Sequence, residues 1–273
     1  MSPTWRSVAP PPLPVIGPMG WVRAVLRGLA LAVMMAAGLA VLVPLRAAER
    51  WLGRGHSLSA RLPFLVSRAT LALLGIRLAA KGRLDEHAGI VVANHATWLD
   101  IFTLNALGPV TFVSKDDVAG WPGIGLLARA TGTLFIARDP RQARAQQAMV
   151  LARLAAGQRL VLFPEGTSTD GQRVLPFKPT LFAAAMAAGA QVQPVSIGYH
   201  PRAGRDPRFY GWWGDMSFGP HALVLLAEPG GGAVTVVLHP PQVARQFADR
   251  KALALACEGV VRLGKVDYVE SGL

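Results

Sequence analysis

The chain contains one cysteine in 273 residues, Cys257. A single thiol cannot close an intrachain disulfide, so packing must hold the fold, and a reducing cytosolic setting suits it. Acidic residues are also few: 16 against 28 lysines and arginines, a net charge of +12. Such an excess calls for an anionic partner. Nucleic acid is disfavoured, because no nucleic-acid motif occurs and the arginines are scattered; anionic lipid or an acidic carrier protein fits better. No histidine pair has metal-ligand spacing, which argues against a metal bound by His95, Asp100 and Glu165. Ser168 lies outside any Gly-x-Ser-x-Gly elbow and is a poor nucleophile candidate. Cys257 falls in an apolar segment, 251–261, that reads as a helix and uses it for packing. The histidines other than His95 stand in no motif and are assigned surface or structural places.

Apolar residues are abundant, at 52% of the chain, a high fraction for a soluble protein. Gly28 to Leu45 runs eighteen residues without a charge. As a helix it would reach roughly 27 Å, close to the hydrocarbon thickness of a bilayer. A membrane anchor over 21–61 is expected, with a buried core helix or a signal peptide ending near Ala47 and Ala48 as alternatives. Arg46, Arg50, Arg54 and Arg61 follow the run, against Arg6, Arg23 and Arg27 before it. That balance favours a C-terminal domain on the cytoplasmic face of the inner membrane. Residues 62–80, interrupted by Arg68 and Arg77, read as an amphipathic helix at the interface or packed on the domain. Residues 1–20 are proline-rich and expected to be disordered, and 62–273 form one domain.

Within that domain, strands are expected at 89–93, 133–137, 159–163 and 192–198, and helices at 98–107, 140–156 and 178–189. The alternation predicts an α/β fold: a mixed, mostly parallel sheet flanked by helices, with an N-terminal membrane-anchoring helix. Two apolar runs feed polar clusters. Gly89 to Ala93 opens into Asn94-His95-Ala96-Thr97-Trp98-Leu99-Asp100, placing His95 at a strand's mouth, where sites in α/β folds gather. Asp100 either orients His95 or closes a capping box with Thr97. Arg159 to Phe163 opens into Pro164-Glu165-Gly166-Thr167-Ser168, an ordinary turn or a set of groups for a ligand. Gly132 to Asp139 delivers Arg138 at a strand end, solvated or forked onto a phosphate.

Four blocks in this order, Asn-His-x4-Asp at 94–100, Gly-x-x-Phe-Ile-x-Arg at 132–138, Phe-Pro-Glu-Gly-Thr-Ser at 163–168 and Gln-Pro-Val-Ser-Ile at 193–197, resemble the glycerolipid acyltransferases. The resemblance covers roughly residues 70–265. It implies transfer of a fatty acyl group from acyl-CoA or acyl carrier protein to a lysolipid hydroxyl, without a cofactor. His95 would be the general base and Asp100 its orienter. Arg138, Glu165, Gly166 and Thr167 would bind the acceptor. The expected acceptor is 1-acyl-sn-glycerol-3-phosphate, giving phosphatidic acid. Lyso-ornithine lipid is the alternative, because 169–177 and 210–216 look similar to the branch that acylates it. A catalytically silent lipid- or carrier-binding membrane protein is the competing class. Segment 201–220, with aromatics beside Arg202, Arg205 and Arg208, forms an interfacial lip or folds back on the core.

Overall fold

β-branched and aliphatic runs make the centre of the molecule. In the computed structural model, which describes residues 4–53, 58–121, 123–137 and 140–270, Ala88–Ala93 forms β2, Thr111–Lys115 β3, Leu134–Ile136 β4 and Leu160–Leu162 β5. These four run parallel, ordered β2-β5-β3-β4. Their C-terminal ends therefore share one edge. Gln191–His200 (β6) joins β2 in parallel, Gly232–Leu238 (β7) joins β6 antiparallel, and Ile76–Lys81 (β1) closes the far edge parallel to β7. Gln242–Val243 (β8) pairs with the start of β6. Pro194 stands inside β6 at the gap between the β8 ladder, ending at Val192, and the β7 ladder, beginning at Val195. A residue without an N–H is tolerated where the ladder is already interrupted.

The alternation of β2 divides the core. Val91 and Ala93 face one layer with Leu71, Leu99, Leu104, Ile197 and Leu225; Ile90 and Val92 face the other with Phe177, Phe182, Leu253 and Cys257. The first layer is covered by helices Arg61–Leu73 (α2), Leu99–Asn105 (α3) and Phe218–Ala227 (α7), the second by Ala183–Ala188 (α6) and Arg250–Glu270 (α8). A sheet covered on both faces needs continuous apolar strands. Ile124–Thr131 (α4) precedes β4, and Ala143–Ala155 (α5) leads to β5.

The apolar N-terminal run is a 34-residue helix, Pro18–Trp51 (α1), started by proline at its first position and long and apolar enough to cross a membrane. Only 6% of its most apolar window is buried. One side is nevertheless docked along its length. Arg23 Nε donates to the Ala227 carbonyl at 2.9 Å and Arg27 Nη1 to that of Glu228 at 2.5 Å, satisfying the free carbonyls that end α7. Gly38 lies beside Val66 of α2, and Arg46 Nη2 reaches the Thr131 carbonyl at the end of α4. Helix α1 and the domain are in contact along its length.

Two expectations are corrected, and one pair of alternatives is decided. The described part of the proline-rich tail, 4–17, is not loose: Trp5 is 9% exposed against Trp213, whose Nε1 donates to the Val8 carbonyl at 2.9 Å, and Arg6 pairs with Asp215 at 2.7 Å. An extended segment that buries an indole stays in place. The stretch 62–80 is not one helix, since α2 stops at Leu73 and β1 follows. Gly75, at φ +70°, makes that turn, and a Cβ there would lie 2.9 Å from Gly230 Cα. Segment 201–220 folds back, with Phe209, Tyr210 and Trp213 buried in the core. Arg54, His56 and Arg138 lie outside the described residues.

Candidate active site

β2 ends at Ala93, and Asn94 ties its exit to β6: Nδ2 donates to the Ile197 carbonyl at 3.0 Å while Oδ1 accepts the Ile197 N–H at 2.8 Å. The next residue is His95. Its Nδ1 lies 2.7 Å from Asp100 Oδ2. Asp100 also accepts the Ala96 and Thr97 N–H groups on Oδ2, at 2.8 and 3.1 Å. Asp100 thus meets both the imidazole and the turn into α3, but only half of the capping box forms: its carboxylate accepts the Thr97 N–H, while its own N–H goes to the Thr97 carbonyl and not to Oγ1. A histidine whose Nδ1–H is held by a carboxylate carries its free lone pair on Nε2. The His95 side chain is 21% exposed and that of Asp100 0%. The ring stacks on Phe163, 4.1 Å between centroids.

Asp100 Oδ1 accepts the Tyr199 hydroxyl at 2.8 Å, and Tyr199 Oη lies 2.9 Å from Thr103 Oγ1. Burial and the nearby Asp100 charge push the Tyr199 pKa up, so the phenol keeps its proton and donates. Neither residue was among the expected site groups. The signal was present: Tyr199 continues the alternation of Val195 and Ile197, and Thr103 lies three residues after Asp100 on a helix.

Glu165 is 2% exposed, and its carboxylate points into the protein. Oε1 accepts the His95 N–H and Oε2 the Leu175 N–H, both at 2.7 Å. Burial raises its pKa to about 7, against the lowering effect of those two bonds and of the Lys265 charge. Lys265, from α8, donates to the Gly171 carbonyl. Burial lowers its pKa, while Glu165, Asp170 and Asp100 oppose the shift. This lysine was also missed, being nearly 100 residues from any motif it supports. The Thr169 N–H bonds the His95 carbonyl at 2.9 Å and the Trp212 N–H that of Ala96 at 2.8 Å, so three segments fasten the histidine loop.

Gly166 adopts φ +70°, and a Cβ there would strike the Lys178 side chain. Thr167 Oγ1 accepts the Trp5 N–H at 3.3 Å and donates to the Ser168 carbonyl at 3.3 Å. Arg138 lies outside the described residues, but β4 leaves the sheet at the edge that carries His95. Cys257 is fully buried and its thiol is pushed up to about 12 by burial, which suits packing. His221, held neutral by burial at a pKa of about 4, accepts the Trp98 indole N–H at 3.0 Å.

Known proteins resemble this chain in sequence and in fold. A family model described as Acyltransferase matches residues 76–198. The lyso-ornithine lipid O-acyltransferase of Rhodobacter capsulatus is 50% identical over 96% of this chain and 97% of its own length. The 1-acyl-sn-glycerol-3-phosphate acyltransferase of Neisseria meningitidis is 36% identical over 51% of this chain and 56% of its own. The crystal structure of the 1-acyl-sn-glycerophosphate acyltransferase from Thermotoga maritima shares the fold, with a TM-score of 0.61 at 20% identity, covering 92% of this chain and 99% of that one. The near full-length identity, joined to the family match across the histidine loop and the central strands, shows that this chain belongs to the acyltransferase family.

Proposed function

We propose that this acyltransferase esterifies the hydroxyl of lyso-ornithine lipid, with a fatty acyl thioester of coenzyme A or acyl carrier protein as donor. The observation that carries the acceptor is the length of the likeness. Identity to the lyso-ornithine lipid enzyme of Rhodobacter capsulatus extends over the anchor helix and the 201–220 segment, whereas that to the Neisseria enzyme spans half the chain. The second reading, 1-acyl-sn-glycerol-3-phosphate as acceptor, rests on that shorter match and on the four blocks.

His95 Nε2 takes the acceptor's hydroxyl proton as the oxygen attacks the thioester carbonyl carbon. Asp100 holds the ring and stabilises the imidazolium that forms, and Tyr199 and the two backbone N–H groups hold Asp100. Collapse of the tetrahedral intermediate breaks the carbon–sulfur bond, and the imidazolium returns its proton to the leaving thiolate. Products are the ester and the free thiol. Glu165 is a positioning residue that fixes the backbone of His95, a departure from the acceptor contact expected of it. Gly166, Thr167 and Arg138 remain the acceptor-side groups of this proposal.

The apolar helix and the lipid-acylating relatives support membrane association. Immersing the exposed face of α1, with Trp21, Leu29 and Val33, brings the docked domain down to the lipid. The arginine balance supports a cytoplasmic face of the inner membrane.

Membranes carrying the protein, given both lysolipids and each thioester donor with His95→Ala membranes as blank, test the reading. Ester formation on lyso-ornithine lipid that vanishes in the variant supports it. Product from 1-acyl-sn-glycerol-3-phosphate alone selects the second acceptor, and no product from either with either donor favours a silent binding protein.

A further inference from the structure

The parallel strands have two ends, and His95 occupies one. At the other, where β2, β3 and β5 begin, a cavity of about 970 Å³ lies between the sheet edge, α4, α5 and the last turns of α1. β2 is six residues long, and at roughly 3.3 Å per residue about 20 Å of strand separates this cavity from the base.

Its lining is unbalanced in charge. Arg46 and Arg50 from α1, Arg129 from α4, Arg153 from α5 and Arg159 at the start of β5 meet one carboxylate, Glu86. Among the described residues, none of the five forms an ion pair with a carboxylate. Four are held by neutral oxygens: Arg46 by the Thr131 carbonyl, Arg129 by that of Ala119, Arg153 by Gln158 Oε1 at 3.2 Å, and Arg159 by the Asp85 carbonyl at 2.7 Å. Such bonds fix guanidinium groups without cancelling their charge. The Arg46 Nε–H is buried and meets no acceptor among the described residues. A donor in that condition is costly unless a ligand accepts from it.

We propose that this cavity is an anion site for a phosphoryl group, separate from the acyl-transfer site. Several guanidinium groups around one space match the tetrahedral oxygens of a phosphoryl anion, which accept forked, charge-assisted hydrogen bonds. The source is a phospholipid headgroup or a soluble phosphate. The end of α1 points to the headgroup, since Arg50 is followed by Trp51, 86% exposed, and Leu52, 52% exposed, an aromatic and aliphatic pair suited to the membrane boundary. The proposal rests on the cavity and not on the acceptor chosen above.

The test uses the full-length protein with Arg50→Gln/Arg153→Gln, the charge-keeping Arg50→Lys/Arg153→Lys, and the control pair Arg77→Gln/Arg144→Gln, two exposed arginines elsewhere. Pyrophosphate binding is titrated calorimetrically in detergent, and flotation is measured with phosphatidylcholine vesicles with and without phosphatidylglycerol. Acyl transfer in detergent monitors folding. The glutamine pair at the cavity should lose anion affinity on the order of tenfold or more beyond the control pair, with the lysine pair between and acyl transfer unchanged. Loss confined to the phosphatidylglycerol arm identifies a headgroup site, and loss confined to the pyrophosphate arm a soluble phosphate; either supports the proposal. Equal losses in cavity and control pairs, or none in the cavity pair, overturn it, because the positive charge would then act diffusely.

Discussion

Asp100 and Glu165 are two buried carboxylates that meet the same histidine from different sides. Asp100 touches the imidazole and is surrounded by four donors: the ring Nδ1–H, two backbone N–H groups and the Tyr199 hydroxyl. Glu165 touches the backbone N–H of His95 and one other N–H, and its pKa rises to about 7 because burial outweighs those two bonds. Burial alone therefore does not define a carboxylate's role. The number and direction of its donors do, since each donor to an oxygen favours the ionised form.

The comparison breaks most visibly at His95, the proposed base. His95→Ala should reduce turnover by about 10²–10⁴-fold, the usual worth of a general base, measured as acyl transfer under saturating donor. Asp100→Asn keeps the shape but removes the charge that stabilises the imidazolium; a loss on the order of 10²-fold in kcat is expected, with little change in KM. Retention of most activity would reassign Asp100 to the turn alone.

Glu165→Gln tests the other carboxylate through stability. Its folded pKa is raised from 4.5 to about 7, so its contribution is fully present below about pH 4.5 and is lost as pH rises through 7. The wild type should thus lose stability relative to the glutamine variant between those values, by on the order of 3 kcal/mol at most. Thermal unfolding midpoints from pH 4.5 to 8 read this directly, and parallel curves would mean that Glu165 is ionised throughout. Tyr199→Phe removes one of four donors from Asp100 and should cost about 1 kcal/mol of transition-state stabilisation, near fivefold in kcat, with KM unchanged. The smallest effect is expected from Trp5→Phe, which keeps most of the apolar burial but alters the tilted ring pair with Trp213 and should lower stability by about 1 kcal/mol.

How much of this was legible in the sequence differs by distance along the chain. His95 and Asp100 were readable because the strand that presents them and the turn that joins them are five residues apart and use strong local signals: an apolar run, a break and a helix start. Strands β2, β4, β5 and β6 were readable for the same reason. β1 was hidden inside an apolar stretch that also suits a helix, and the edge strand became visible only through its pairing with β7, over 150 residues away. Trp5 looked like part of a low-complexity tail because its partner, Trp213, lies on the other side of the sequence.

The sequence by itself determined the α/β class, the long apolar N-terminal helix, the family and the placing of His95 and Asp100 at a strand's mouth, since periodicity, composition and motif order are local properties of the chain. Only the tertiary structure decided that Glu165 faces a backbone, that Tyr199 and Lys265 support the site, that the anchor is docked along its length, and that five arginines converge on one cavity. The physical reason is that the direction of a side chain, and the charges it meets, are set by whatever other segments pack against it. Those segments come from anywhere in the chain.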